Sequence, residues 1–325
     1  MPDKKTIYLF FGEDNFSSIQ KVNHWKKEFE KKYGNINVET LNGKVQADEL
    51  SGAYETAPFL AEKRLIVVEN LLSKGTIDEQ KEIAERLEDV SDTAILVFLE
   101  VEQPDQRTSL FKKIKKVGEI TEFKFLAEAQ LTAWVMNKAK EKGANVPSQI
   151  AAYMASLTGP NLWAITNELD KIHMYCKDRA VTKEDIDELV QPSLTSSIFK
   201  LTAYISQKDR KRSLKTLHIL EDSGEELIRI LFMIVRHFRI LLQVNDLMSR
   251  GHGKAQILSK LREHPYTIQI AMDQCKNFDI GKLKEIYGEL YKLDIGIKTG
   301  KIKSSGDEKK ELMLAIEKFI VECCG

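Results

Sequence analysis

Apolar residues in the first part of the chain follow two rhythms. Short apolar or alternating runs predict strands over "TIYLFF" (6–11), "INVETL" (36–41), "RLIVVE" (64–69), "AILVFLE" (94–100) and "GEITEF" (118–123). Between them, spacings of three and four predict helices. Phe16, Ile19, Val22, Trp25, Phe29 and Tyr33 line one face of a long helix, "ADELSGAYE" (47–55) suits a short one, and helical patterns recur at 78–88 and 107–116. Strands alternating with helices imply right-handed βαβ units and a mainly parallel sheet with both faces covered.

Beyond residue 125 the strand rhythm stops. "EAQLTAWVMNKAKEKG" ends on Gly143, a C-cap type. "PSQIAAYMASLTG" begins after Pro147, with Ser148 expected as N-cap, and stops at Gly159. Leu162, Ile165, Leu169 and Ile172 form one stripe, and Thr182 and Asp185 stand at capping-box spacing. "QPSLTSS" (191–197) has the composition of a linker. The remainder, including the long apolar segment Glu225–Met248, reads as helical. The expected fold is an α/β parallel-sheet domain over 1–125, a small helical domain over 126–194 and an all-α domain over 195–325.

Composition narrows the function classes. Among 325 residues, 49 basic and 49 acidic side chains cancel, whereas a protein holding DNA alone by phosphate neutralisation would be basic. Any nucleic-acid role is then shared with partners or confined to a patch. No apolar stretch near the start is long enough for a secretory signal. The most apolar segment, Leu227–Val244, is interrupted by Arg229, Arg236, His237 and Arg239, which argues against a membrane span. Cys176, Cys275, Cys323 and Cys324 show neither a CxxC pair nor zinc spacing, so reduced thiols in a cytoplasmic protein are expected.

A search for catalytic chemistry finds little. A nucleotide site in the first strand–helix loop, "FFGEDNFSS" (10–18), would need G-x-x-x-x-G-K-[ST]. Only Gly12 is present, and Glu13 and Asp14 put negative charge where phosphate would sit; Asp14 suits an N-cap better. No G-x-S-x-G, H-E-x-x-H or G-x-G-x-x-G occurs, and neither His173 nor His237 has a nucleophile or carboxylate partner nearby in sequence. No catalytic residue, cofactor or metal site is expected. Three features stay open between a plain and a sharper reading. Arg229, Arg236 and Arg239 form a solvated stripe or a subunit interface. Lys298, Lys301 and Lys303 sit in a solvated loop or touch phosphate. Phe59 and Leu60, after Pro58, are either core residues or offered to a partner.

In their order, "YLFFGEDNF", "TAPFLAEKRLIVVEN", "ILVFLEVEQPDQRTSLFKKIKK", "LTGPNLWAITNELDKI", "SSIFKLTAYI" and "ILFMIVRHFRILLQV" span the chain, which resembles the delta subunit of bacterial DNA polymerase III, the clamp-opening subunit of the clamp loader. The resemblance implies a modified AAA+ fold: a RecA-like α/β domain, a small helical lid and a helical collar that joins the subunits. It implies a component of the polymerase III holoenzyme that neither hydrolyses ATP nor supplies an arginine finger, consistent with the missing phosphate loop and the lack of a Ser-Arg-Cys tripeptide. Implied partners are the beta sliding clamp, the gamma/tau ATPase subunits, the delta-prime subunit and primed DNA in the assembled complex, with no membrane. Phe59 and Leu60 match the apolar pair that enters a pocket on the clamp, with Pro58 stiffening their approach. The competing readings are an AAA+-like nucleotide-dependent enzyme and a helical scaffold without clamp contact.

Overall fold

The computed structural model describes residues 6–177, 179–261, 263, 265–303 and 309–325. The chain forms two compact units: Met1–Leu126 with Asn161–Trp163, and Ala127–Pro160 with Ala164–Gly325.

The first unit is built on five parallel strands: β1 (Ile7–Phe11), β2 (Val38–Asn42), β3 (Arg64–Glu69), β4 (Ala94–Leu99) and β5 (Glu119–Glu122), in the order β2-β3-β4-β1-β5. The central strands are apolar on both faces because both faces are covered. Alternate residues divide between two cores. Ile7, Leu9, Ile66, Val68, Leu96 and Phe98 meet α2 (Ala47–Glu55), α4 (Ile77–Arg86) and α5 (Ser109–Val117). Phe10, Leu65, Val67, Val97 and Leu99 meet Val22 of α1 (Asn15–Tyr33). One helix is about 10 Å wide, and five strands spaced at about 4.8 Å span roughly twice that. Among the described residues α1 is the one helix contributing to this core, and it leaves part of that face open.

Two local expectations change. The strand expected from residue 36 begins at Val38, because Asn35–Asn37 turns as a 3₁₀ segment and Asn37 is fully buried. A short helix, α3 (Leu71–Lys74), follows β3 after Asn70, whose φ is +61°.

The second unit is helical: α6 (Glu128–Glu141), α7 (Ser148–Thr158), α8 (Leu162–Cys176), α9 (Lys183–Leu189), α10 (Leu194–Ser206), α11 (Arg210–Asp222), α12 (Leu227–Ser249), α13 (Lys254–Leu261), α14 (Pro265–Cys275), α15 (Ile280–Lys298) and α16 (Lys309–Cys323). The Thr182–Asp185 capping box is present. Ser148 is not the N-cap; it is the first helical residue, and Pro147 takes the cap position with its extended backbone. Residues 191–197 are not a free linker either. Ser193 caps α10, its N–H donates to the Leu157 carbonyl at 2.9 Å, and Ser196 Oγ donates to the Ser156 carbonyl. Side-chain and backbone bonds to α7 thus order a segment whose composition suggests a loop. Among the described residues no helix is long and apolar enough to cross a membrane.

Candidate partner-binding surface at one end of the sheet

All five strands run the same way, so every loop that leads into a strand lies at one end of the sheet. The segment joining α2 to β3 carries Pro58, Phe59 and Leu60 there. Thr56 closes α2, its N–H and Oγ1 both donating to the Gly52 carbonyl at 3.2 and 2.6 Å. Beyond it the chain turns outward: Pro58 is half-buried, Phe59 is 60% exposed and Leu60 is 92% exposed. Core positions for these residues would have favoured the scaffold reading; both apolar side chains instead face solvent.

The loop is held although its side chains are free. Asn37 Oδ1 accepts from the Phe59 N–H at 2.7 Å, and Asn37 Nδ2 donates to the Phe59 carbonyl at 2.9 Å and to the Tyr33 carbonyl at 2.6 Å. A buried amide side chain thus imitates a strand neighbour, satisfying both backbone groups of Phe59 and tying the loop to the end of α1. Leu60 then takes a left-handed backbone with φ of +49°, a conformation that costs a residue with a Cβ roughly 1–2 kcal/mol. Strain at an exposed apolar residue on a fixed loop points to a binding element. Ile36, next to Asn37, is 62% exposed at the same end. The sequence reading missed Ile36 and Asn37 because both were counted into a strand; the asparagine was the available signal, since Asn is poor in strands.

Beside this loop a cavity of about 340 Å³ opens under the end of α1. Tyr8, Trp25, Phe29 and Tyr33 supply aromatic walls, Leu65 and Ile95 the sheet side, and Glu28, Lys32 and Lys63 are the charged lining residues. The Tyr8 and Trp25 rings meet edge to face at 5.0 Å.

The other end of the sheet is where open parallel sheets usually take ligands. Here its polar groups serve one another. Asp14 caps α1, accepting from the Ser17 N–H at 3.0 Å, while the Asp14 N–H donates to the Phe123 carbonyl at 3.0 Å. Gly12, with φ of +142°, packs so tightly that a Cβ would lie 2.1 Å from the Phe123 oxygen. That glycine serves strand-end packing. Glu100, fully buried, accepts from the Leu72 N–H at 2.8 Å, the Ser73 N–H at 3.0 Å and Ser73 Oγ at 2.6 Å. Burial nevertheless raises its pKa, the hydrogen bonds opposing the shift.

In the second unit, Arg229 and Arg239 are exposed on α12 and Arg236 is half-buried. Arg229 pairs with Glu225 at 3.0 Å and Arg236 with Glu263. Phe232, 53% exposed, stands among them, an aromatic that the sequence reading did not single out. Lys298 pairs with Asp294 at 2.7 Å, Lys301 is exposed, and the Lys303 N–H donates to Glu311 at 3.1 Å. His237 is buried against Gln274, 2.7 Å away, and burial lowers its pKa to about 4, so it is neutral at pH 7. All four cysteines are free and buried, with Cys275 and Cys323 pushed up to about 12 by burial. No group of three or more potential metal ligands occurs among the described residues.

Comparison with known proteins agrees with this architecture. The family model for the DNA polymerase III delta subunit matches residues 8–124, and that for the delta subunit's C-terminal domain matches residues 195–321; together they cover well over half of the chain. The DNA polymerase III subunit delta of Bacillus subtilis is 27% identical over 97% of this chain and 92% of its own length. A probable DNA polymerase III subunit delta of Aquifex aeolicus is 23% identical over 77% of this chain and 73% of its own. The solved structure of the Bacillus subtilis DNA clamp loader delta protein superposes with a TM-score of 0.67 at 26% identity, covering 98% of this chain and 95% of that one.

Proposed function

The chain belongs to the DNA polymerase III delta-subunit family, and on that premise we propose that it binds the beta sliding clamp and favours its open form, so that ATPase partners can load the ring on primed DNA. The observation that carries this reading is the exposure of Phe59 and Leu60 on a loop whose backbone Asn37 holds. One aromatic and one aliphatic side chain, desolvated together in a pocket on the clamp, contribute about 2–4 kcal/mol each on truncation. Binding shifts the ring towards opening only by its difference in affinity for the two forms, so the clamp must offer this surface better when strained.

The same reading makes the subunit non-catalytic by itself. The β1–α1 turn commits Gly12 to packing and its backbone donors to Asp14 and Phe123, which suits a subunit that leaves ATP to its neighbours. Partners are then the gamma/tau ATPase subunits and the delta-prime subunit, met through the collar at 195–325, which follows the α/β domain at 1–125 and the helical lid at 126–194 in the chain. The α12 face of Arg229, Arg236 and Arg239 around Phe232 has the arginine-plus-aromatic composition of a subunit interface. Lys298, Lys301 and Lys303 are placed in this reading as DNA contacts inside the assembled complex. Lys298 must exchange Asp294 for phosphate to serve there.

The test is clamp binding by wild type and by the Phe59→Ala, Leu60→Ala chain, with circular dichroism to show both folded. A loss of at least tenfold, about 1.4 kcal/mol, is expected. Equal binding by the two folded chains overturns the assignment.

A further inference from the structure

Phe59 and Leu60 alone are too small to make a specific interface. A large aromatic side chain buries about 150–250 Å², while a specific interface takes about 800 Å² from each partner. Whatever holds the clamp must cover ground around the loop, and two features border it. Ile36 is exposed next to the asparagine that holds Phe59. On another side lies the aromatic cavity. Tyr33, whose carbonyl accepts from Asn37, and Lys63, three residues after Leu60, both line it, so the loop and the cavity share structural parts.

Resting on the clamp-binding reading, we infer that the contact is reciprocal: while Phe59 and Leu60 enter the clamp, an apolar side chain of the clamp enters the cavity walled by Tyr8, Trp25, Phe29 and Tyr33. The volume of about 340 Å³ admits one large side chain with room for its backbone approach. The walls are apolar, and the lining cations fix the chemistry of the flank. Glu28 is occupied by Lys31 at 2.7 Å and Lys63 donates to the Asp92 carbonyl, while the Lys32 ammonium, hydrogen-bonded to Tyr33 and 4.8 Å from the centre of its ring, stands on an exposed side chain. A clamp segment pairing an aliphatic or aromatic residue with a neighbouring carboxylate fits this arrangement. The cavity would then fix the orientation of the ring on this subunit, which two side chains on one loop cannot do.

Trp25 provides a reporter inside the cavity wall. The full chain, labelled with 5-fluorotryptophan and mixed with unlabelled clamp, gives fluorine lines for Trp25, Trp134 and Trp163, each assigned by its Trp→Phe variant. Alongside it, Glu28→Trp places a large ring at the cavity from an exposed helix position and leaves the loop unchanged. The expected result is a shift of the Trp25 line on clamp addition, together with about fivefold weaker clamp binding by Glu28→Trp. If binding depends on Phe59 and Leu60 but the Trp25 line stays fixed and Glu28→Trp binds as wild type, the cavity inference falls and the clamp-binding reading stands. If wild type does not bind the clamp, or binds indifferently to Phe59→Ala, Leu60→Ala, that reading fails first and the cavity inference with it.

Discussion

At the end of the sheet where strands β1, β3 and β4 finish, Asp14, Asn70 and Glu100 bond to backbone groups around them, and the turn is closed by contacts too tight for a Cβ at Gly12. At the end where strands begin, apolar side chains stand out at Ile36, Phe59 and Leu60, and a cavity with aromatic walls is left open. A parallel sheet normally presents its chemistry at the first of these ends. In this chain that end is self-satisfied, and the unsatisfied surface has moved to the opposite one. The contrast is what the proposed clamp-binding role asks of this domain: a closed end where ligands usually sit and an apolar surface at the other.

The comparison can be broken most forcefully at Glu100. Glu100→Ala leaves the buried N–H groups of Leu72 and Ser73 without their acceptor. Chemical denaturation should show a loss of about 2–4 kcal/mol, while clamp affinity of the folded chain stays as in wild type. A fall in affinity with no fall in stability would place function at the wrong end. Asn37→Ala should cost about 2 kcal/mol in the same denaturation experiment, through the lost bonds to Phe59. It should also weaken clamp binding about tenfold, because the loop must then be ordered on contact. A smaller effect is expected from Leu60→Gly. Relief of the left-handed backbone outweighs the added freedom of the unfolded chain by about 0.5 kcal/mol, so melting temperature rises slightly while clamp affinity falls. A drop in both would show that Leu60 packs on its own subunit.

The subtlest test is a sign. Burial raises the Glu100 pKa, so folding favours its protonated form. That contribution is present below the ordinary carboxylate range and is lost as pH rises through the folded value. Glu100→Gln, neutral throughout, should therefore gain on wild type in melting temperature between pH 4.5 and 7.5. The opposite trend would mean that the three donors, and not burial, govern this carboxylate.

What the sequence shows and what it hides follows from how far apart the partners lie. Strand β3 and helix α2 match their predicted spans, 64–69 and 47–55, because an apolar run and a helical repeat are local patterns. Helix α3 was missed because Leu71–Lys74 is too short to show a period. Glu100 carried no signal, since its partners stand 27 and 28 residues away. The same holds for Asn37 and Phe59, 22 residues apart. Phe59 and Leu60 look alike in a core or on a surface, and residues alone left that choice open; exposure is a tertiary property. The cavity was equally invisible, because it exists only where one helix fails to span a sheet.

The asparagine that holds Phe59 also bears on time. An apolar element that must be ordered during encounter slows capture, and each failed attempt ends in separation. An element already fixed by Asn37 presents its side chains in one geometry at every collision, so the association rate is set by diffusion and orientation. On the clamp-binding proposal, residence on the ring then depends on the side-chain contacts made after docking. A loader must catch its ring quickly and also let it go, and a stiff backbone carrying a few detachable side chains allows the two rates to be tuned separately.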